Sequence, residues 1–273
     1  MLKRQTSGSV VCPSCGRLVG VQESVCPHCG RRNPGMFGFG RLVQGLGQNF
    51  GFTQVVMAGC IVLYLASLIV DPRNVVWARG WSILQPSQMA MLSLGASGSV
   101  PVFELGWWWT VFSASWLHGN LLHIGFNMLW VRQLAPATER LFGPGRMILI
   151  YLVSGALGFI ASTLAGNPLT LGASAAIFGL LGALVRYGRR TGSSAIGRQA
   201  WTWAAMLFVF GLLMPGVDNF AHFGGFVGGY AMAIWLDPLK PEGTDHLVAA
   251  LIGLLISALA VGASLLSAFL TGR

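Results

Sequence analysis

Charged side chains are scarce in this sequence. Only 9% of its 273 residues are Asp, Glu, Lys or Arg, whereas 54% are hydrophobic. An ordinary soluble domain carries about 25% charged residues. This scarcity excludes a typical soluble domain and predicts an integral membrane protein.

The first fifty residues also lack the apolar stretch of a secretory signal peptide, because they are polar, basic and Gly-rich. We therefore expect the amino terminus to stay in the cytosol. Beyond Phe52, clusters of Gly, Pro and charge separate seven apolar stretches that are candidate membrane spans. These stretches are 53–70, 119–141, 146–165, 173–187, 198–214, 220–236 and 247–270.

Basic residues lie mainly on one side of this predicted topology. If the first span enters from the cytosol, the outer side holds only Arg73, Arg79 and Arg273. The cytosolic segments hold the other 14 of the 17 basic residues: Lys3, Arg4, Arg17, Arg31, Arg32, Arg41, Arg132, Arg140, Arg146, Arg186, Arg189, Arg190, Arg198 and Lys240. This distribution follows the positive-inside rule, so the net charge of +9 reflects orientation and lipid contact rather than nucleic-acid binding.

Carboxylates are absent from the middle of every predicted span. No histidine is followed by glutamate, which excludes the HExxH motif of a zinc intramembrane protease. An aspartyl protease or a proton-coupled transporter would need buried carboxylates, and neither is supported. Seven of the carboxylates lie at or beyond span ends, namely Asp71, Glu104, Glu139, Asp218, Asp237, Glu242 and Asp245.

Cysteine is rare, with five residues, but four of them are paired. Cys12-Pro-Ser-Cys15 and Cys26-Pro-His-Cys29 are each followed by a glycine. Two such CxxC pairs supply four thiolates for a tetrahedral structural zinc, with Gly16 and Gly30 in the tight turns. Two disulfides or a redox dithiol are the alternatives, but a cytosolic location keeps thiols reduced. We interpret His28 as a spectator and Cys60 as a buried apolar residue.

The ionisable groups left inside the spans favour a serine and a histidine. Ser174 opens the fourth span, where a helix N-terminus stabilises developing negative charge, and His222 opens the sixth. Counting along each helix to Arg186 and Asp237 places both residues about 10 Å below the outer surface. Small residues at Gly224, Gly225, Gly228 and Gly229 on one helix, and at Ala175, Gly179 and Ala183 on the other, allow close approach.

The second span adds two polar side chains on one helix face. His123 and Asn127 are four residues apart, so both can point into one cavity. There they would form an oxyanion hole with the Ser174 amide. The alternative for Asn127 is an interhelical hydrogen bond that holds the bundle together.

These motifs together resemble the rhomboid intramembrane proteases over residues 52–240. The resemblance rests on HxxxN from His123 to Asn127, GxSx from Gly172 to Ala175, and AHxGG from Ala221 to Gly225. Trp107-Trp108 with Thr110, and Glu139-Arg140, support it. The implied fold is an all-α polytopic membrane protein with a six-helix rhomboid core. It also implies a bulky helical loop between the first two spans, within residues 75–115, lying partly in the outer leaflet.

The expected domains are a zinc-ribbon head at 1–34, a Gly-rich linker at 35–51, the rhomboid core at 52–240 and a seventh transmembrane helix within 241–273. The resemblance implies that Ser174 is the nucleophile, His222 the general base, and His123 and Asn127 the oxyanion donors. Phe178 stands where the family has an aromatic ring beside the base. The usual GxSG is GASA here, and the Ala175 methyl is a feature that can narrow the approach of the fourth and sixth helices.

The resemblance implies an intramembrane serine endopeptidase of a bacterial plasma membrane, with an active site that opens to the extracytoplasmic side. Its partners would be single-span or polytopic membrane-protein substrates and the lipid bilayer. The cofactor expected is structural zinc bound by Cys12, Cys15, Cys26 and Cys29, with none for catalysis. One alternative is a non-catalytic rhomboid-like protein that binds membrane clients, and another is a metal- or redox-sensing scaffold anchored by the bundle.

Overall fold

A computed structural model describes residues 4–40 and 51–271 of the chain. Most of the linker expected at 35–51 lies outside the described residues, as do Lys3, Arg41 and Arg273 of the orientation argument.

The described part of the chain contains nine α-helices, seven of which are long. Each of the seven apolar stretches coincides with one long helix, as expected. The helices are α1 Phe52–Val70, α2 Gln88–Ser93, α3 Thr110–Ser113, α4 Leu121–Phe142, α5 Pro144–Leu164, α6 Ser174–Thr191, α7 Ser194–Leu213, α8 Asn219–Trp235 and α9 Thr244–Thr271. The protein is therefore a polytopic, mainly helical membrane protein.

Four of the described helices are long and apolar enough to cross a bilayer on their own composition, namely α1, α5, α7 and α9. The other long helices carry the predicted site residues. α6 ends with basic side chains at Arg186, Arg189 and Arg190, and α8 has only 17 residues. These helices are held by packing, since α6 buries most of its first three turns.

Small residues bring α5, α6 and α8 into contact, as the glycine spacing predicted. Gly225 of α8 lies directly against the backbone of Ala175, and Gly229 lies against the carbonyl of Gly179. At either glycine a Cβ would overlap α6 backbone atoms, so no larger residue fits. The parallel helices α6 and α8 are therefore held so that the first turn of α6 lies beside the second turn of α8, one turn after His222.

The connection between α1 and α4 is helical in its second half, as expected, but begins with a β-hairpin. Val76–Arg79 (β3) and Ser82–Gln85 (β4) form an antiparallel hairpin in which Ala78 pairs with Ile83. Gly80, at φ +57°, begins the two-residue turn, a conformation that glycine adopts without strain. The β-branched and aromatic residues on either side favour strands. A single 3-10 turn, Pro72–Asn74, precedes the hairpin. After the hairpin the connection is largely helical, with α2, a π-helix at Val100–Glu104, α3 and a 3-10 turn at Ala114–Trp116.

The amino-terminal head is a small separate core. Ser9–Val11 (β1) and Leu18–Gly20 (β2) pair antiparallel, with Val10 opposite Val19. Its buried hydrophobic cluster consists of Val10, Cys12, Val19, Val21 and Cys26. So few apolar side chains cannot stabilise a domain alone, which is consistent with a bound metal.

The head contacts the bundle where α9 begins. Arg31 donates through both terminal nitrogens to the Asp245 carboxylate, and Gly243 lies against the carbonyl of Pro13. This hydrogen bond raises the pKa of Arg31. Because Arg190, in the last turn of α6, pairs with Asp237 just after α8, the carboxyl ends of α6 and α8 share this end of the bundle. The head therefore lies at the opposite end from Ser174 and His222.

One arginine fixes the connection between α8 and α9. Arg146, in the first turn of α5, donates to the carbonyls of Asp237, Lys240 and Pro241 at 3.1, 2.8 and 2.7 Å. The Glu242 carboxylate accepts from the Arg146 amide at 2.7 Å and so caps α5. Near its other end α9 contacts the connection between α1 and α4, where Trp109 Nε1 donates a hydrogen bond to the Ser264 hydroxyl at 3.1 Å.

Candidate active site

Ser174 is the first residue of α6 and follows a loop held by backbone hydrogen bonds. Gly172 N donates to the Ala114 carbonyl at 2.9 Å, while Thr170 and Ser97 exchange two backbone hydrogen bonds at 2.7 and 3.0 Å. Ser97 belongs to the connection between α1 and α4. The loop before the serine is therefore anchored to that connection, and the half-buried hydroxyl stays accessible at the helix start.

His222 lies in the first turn of α8 and is 6% exposed. Its ring stacks on Phe178, with centroids 4.3 Å apart and an interplanar angle of 16°. Phe178 is four residues after Ser174, so it lies on the same face of α6 as the serine. The structure thus holds the imidazole beside the face that carries the serine. Within the described residues no hydrogen bond joins the two side chains, which is common in a site without substrate.

His123 projects from the first turn of α4 toward the loop before Ser174. Its Nδ1 accepts from the Gly119 amide at 3.3 Å, which leaves Nε2 as the protonated nitrogen of a neutral ring. A Cβ at Gly172 would lie only 2.7 Å from this Nε2. Gly172 also has φ +125°, so both its conformation and this contact favour glycine. The structure therefore places the His123 Nε2–H beside Gly172, which is two residues before Ser174 in the sequence.

Asn127 is 4% exposed, and its Nδ2 donates to the His123 carbonyl at 2.9 Å. This partner is in the same helix, one turn earlier. The interhelical hydrogen bond that competed with the oxyanion role does not occur among the described residues. One amide hydrogen of Asn127 is left for a further acceptor.

The Ala175 methyl group lies where α5 and α8 meet and shares a buried cluster with Ala221 of α8. It points toward Gly158 of α5, where a Cβ would lie 2.7 Å from it. Ala175 is fully buried in a cluster with Val111, Ala114, Phe159 and Ala221. Glycine on α5 therefore leaves room for the extra methyl, and α6 and α8 make backbone contact here, where Gly225 lies against Ala175.

Sequence reasoning assigned no role to Asp218, which it placed at a span end. The carboxylate caps α8 by accepting from the Ala221 amide at 3.0 Å. It also accepts from Thr170 at 2.7 Å, from Asn167 Nδ2 at 2.9 Å and from the Ser162 hydroxyl. Asp218 therefore joins the start of α8 to the segment that leads into Ser174. Aspartate before a helix is a recognisable capping signal, whereas its other partners are distant in sequence.

Asn219 was also missed. Its Oδ1 lies 3.2 Å from Nδ1 of His222, one turn later on α8. An asparagine three residues before a histidine is too common a pattern to indicate this contact without the structure.

The four paired cysteines form the candidate metal site. Cys12 and Cys29 sulfurs are 3.7 Å apart, those of Cys15 and Cys26 are 3.8 Å apart, and all four lie within 4.8 Å of one another. Four sulfurs at about 2.3 Å from a tetrahedral ion would be roughly 3.8 Å apart, whereas a disulfide needs about 2.05 Å. The cluster therefore fits a metal ion, and all four cysteines are free thiols.

The turns of the head also match this interpretation. Gly16 and Gly30 have φ of +72° and +73°, which confirms their predicted place in the tight turns. Burial alone raises the pKa of Cys26, but hydrogen bonds from the His28 and Cys29 amides outweigh it and bring the pKa to about 7. In the same cluster, the lowering effect of the Arg31 amide is outweighed by burial and by the Cys26, Cys15 and Cys12 thiols, which together raise the pKa of Cys29 to about 12. Metal binding would therefore release a proton from Cys29. His28 Nδ1 lies 3.3 Å from Arg17 and is outside the cluster, as expected of a spectator.

Comparison with known proteins shows what this arrangement resembles. Residues 105–238 match the model of the Rhomboid domain family. The chain is 36% identical to Rhomboid protease GluP of Bacillus subtilis over 162 residues, which is 58% of this chain and 31% of that protein. It is 35% identical to RHOMBOID-like protein 4 of Arabidopsis thaliana over 159 residues, 56% of this chain and 40% of that protein.

Rhomboid protease GlpG of Salmonella paratyphi A is 32% identical over 191 residues, 66% of this chain and 61% of that protein. The chain thus spans 31–61% of the length of these relatives. The matched family region covers α4 to α8, the helices that carry every predicted dyad and oxyanion residue.

Proposed function

We propose that this chain, whose residues 105–238 match the Rhomboid domain family, is an intramembrane serine endopeptidase with Ser174 and His222 as its catalytic dyad. The observation that carries the proposal is the stacking of His222 on Phe178, one turn from Ser174 on the same helix. Close packing of Gly225 on Ala175 supports it, because Ala175 follows Ser174 directly and Gly225 lies one turn after His222.

In the proposed reaction Ser174 Oγ attacks the scissile carbonyl while His222 Nε2 accepts its proton. The same proton then passes to the leaving amine, and water hydrolyses the acyl-enzyme. His123 Nε2–H, an Asn127 amide hydrogen and the Ser174 backbone N–H stabilise the oxyanion. Each preorganised donor of this kind typically contributes about 10²–10³ in rate.

We further propose that the dyad opens on the extracytoplasmic side of a bacterial plasma membrane and that the head is cytosolic. The positive-inside distribution supports this orientation, and the dyad and the head are at opposite ends of the bundle. The substrates would be single-span or polytopic membrane proteins whose helices unwind near the outer surface. The proposed domain bounds are 1–34 for the head, 52–240 for the core and 241–273 for the segment with the last helix.

We assign structural zinc to the head. Cys12, Cys15, Cys26 and Cys29 would hold it, and the ion would supply folding free energy to a core of five buried residues. The head lies away from the dyad, so the metal takes no part in the proposed chemistry.

A serine-directed fluorophosphonate tests the nucleophile. Applied to detergent-purified protein, it should label Ser174, with the site located by mass spectrometry. Ser174→Ala and His222→Ala should prevent labelling, whereas Ser99→Ala, a matched serine on the connection between α1 and α4, should not.

Cleavage of a panel of single-span substrates completes the test. Wild-type protein should release defined fragments, and both dyad variants should release none. Folded wild-type protein that is neither labelled nor active, yet retains membrane clients, would establish the non-catalytic alternative.

A further inference from the structure

A hydrogen bond at the start of α8 defines which nitrogen of His222 carries the proton. Asn219 Oδ1 lies 3.2 Å from His222 Nδ1. An amide oxygen only accepts, so Nδ1 must carry the hydrogen of the neutral ring. Nε2 is then left unprotonated, and this is the nitrogen that a general base needs to accept the serine proton.

Asn219 is itself held in place from two sides. A Cβ at Gly211 of α7 would lie 2.5 Å from Asn219 Oδ1 and 3.2 Å from its Cγ, so the glycine provides the space that the amide occupies. Gly211 is one of only three buried residues on described helix α7. Behind Asn219, Asp218 caps the helix and accepts hydrogen bonds from Ser162, Asn167 and Thr170. The backbone that carries Asn219 therefore has little freedom.

The surroundings of His222 contain few groups that compete for its proton. Phe178 of α6 covers one face of the ring and is apolar. In the part of the chain that the structure describes, the titratable groups close enough to act on its charge are Asp218, which caps α8, and His123 on α4. The Asp218 carboxylate is directed at other donors, so Asn219 is the direct partner of Nδ1.

We infer that Asn219 is a positioning residue of the catalytic apparatus, seated against Gly211 and anchored by Asp218, which holds His222 in the Nδ1-protonated tautomer. The inference rests on the proposed function. Asn219 would then be a third, neutral partner of the Ser174–His222 dyad, and it lies on the same helix as the base. It also makes the seating of α7 against α8 a determinant of turnover.

Two substitutions at one position separate positioning from simple stabilisation. Asn219→Ala should lower kcat by roughly tenfold or more with little change in KM, because the ring loses its fixed tautomer and orientation. Asn219→Asp should keep turnover but move the acidic limb of the kcat/KM profile to higher pH. A carboxylate in contact with Nδ1 favours the protonated imidazolium, so more alkaline solution is needed to free the base. A merely structural residue would leave this limb in place.

Gly211→Ala supplies an independent arm that does not alter the hydrogen-bonding residue. Its methyl should displace the amide and reproduce the kcat loss, and it should add little in an Asn219→Ala background. Gly197→Ala, on the same helix but with its nearest neighbour at an ordinary 3.4 Å, is the matched control and should leave kcat unchanged. Additive losses from the two substitutions would overturn the shared mechanism.

A spectroscopic readout does not depend on turnover. In ¹⁵N-histidine-labelled protein in detergent, the His222 resonances should report the Nδ1-protonated tautomer, and this should be lost in Asn219→Ala. If the wild-type protein is active but the variants keep its kcat, the acidic limb of its pH profile and its His222 tautomer, this inference alone is overturned. Wild-type protein that neither labels nor cleaves would overturn the proposed function and this inference together.

Discussion

The imidazole of His222 lies flat on the phenyl ring of Phe178, with centroids 4.3 Å apart and planes inclined by 16°. This contact joins the second turn of α6 to the first turn of α8. Because Phe178 follows Ser174 by one turn, the ring orients the proposed base toward the proposed nucleophile.

Phe178→Leu should therefore lower kcat per folded molecule, and this loss should exceed what any loss of folded protein explains. An aromatic pair contributes about 0.5–1.5 kcal/mol beyond burial, which converts to a roughly 2- to 13-fold loss in kcat if it is expressed at the reaction. Phe178→Tyr keeps the ring and should stay near wild type. Phe142→Leu is a matched control, because Phe142 is also buried, at 2% exposure, but lies at the other end of the bundle. Equal effects on kcat at positions 142 and 178 would mean that stacking has no catalytic role.

The Ala175 methyl leads to a different expectation from the one that the GASA motif suggested. If the methyl crowded the dyad, Ala175→Gly would raise turnover. Since Gly225 already lies against the Ala175 backbone and the methyl fills the space beside Gly158 and Ala221, Ala175→Gly should leave turnover within about twofold and lower the melting temperature, because glycine costs about 1 kcal/mol within a helix. A clear rise in kcat would contradict this assignment.

Gly158→Ala tests the same contact from the other side. Its Cβ would lie 2.7 Å from the Ala175 methyl and 2.5 Å from the Ala221 carbonyl oxygen. Overpacking of this kind typically costs about 1–3 kcal/mol, so both stability and turnover should fall. Combining it with Ala175→Gly should restore part of the stability, since one of the two close contacts disappears.

Asn127→Ala should reduce turnover by about 10²–10³ while the melting temperature in detergent moves little. Its hydrogen bond runs to the His123 carbonyl within α4 and holds no neighbouring helix, so its loss should not loosen the bundle. Asn74→Ala, an asparagine bonded to Asp71 outside the site, controls for loss of an amide. If stability collapsed and turnover per folded molecule survived, the oxyanion hole would have to consist of His123 and backbone amides.

The spans, the close approach of α6 and α8, and the four-cysteine cluster could all be predicted from sequence because each depends on local composition or short spacing. The β3–β4 hairpin could not, since the resemblance to a family implied a helical loop and the local preferences of Val76, Trp77 and Gly80 prevailed. The roles of Asp218 and Asn219 also needed coordinates. Asp218 bonds residues 48–56 positions earlier, and no pattern along the chain indicates such partners.

The head provides the last prediction, because its contact with the bundle bears on whether it regulates the dyad. Arg31 and Asp245 remain partly solvent-accessible, with side-chain exposures of 23% and 50%. An exposed pair of this kind contributes about 0–1 kcal/mol. Deleting residues 1–34 should therefore lower the melting temperature only slightly and leave substrate cleavage near wild type, since the dyad is at the opposite end of the bundle.

Metal removal should have the same outcome by another route. A strong chelator should release one zinc per chain, measured with a colorimetric zinc indicator, and expose Cys12, Cys15, Cys26 and Cys29 to alkylation. Cys60, fully buried in α1, should stay unreactive and so reports that the bundle is intact. Asp245→Asn, which weakens the contact without touching the cluster, separates docking from metal binding. If folded protein lost cleavage both on metal removal and in Asp245→Asn, the head would act on the site through α9. Ser264 of that helix accepts a hydrogen bond from Trp109, in the connection between α1 and α4.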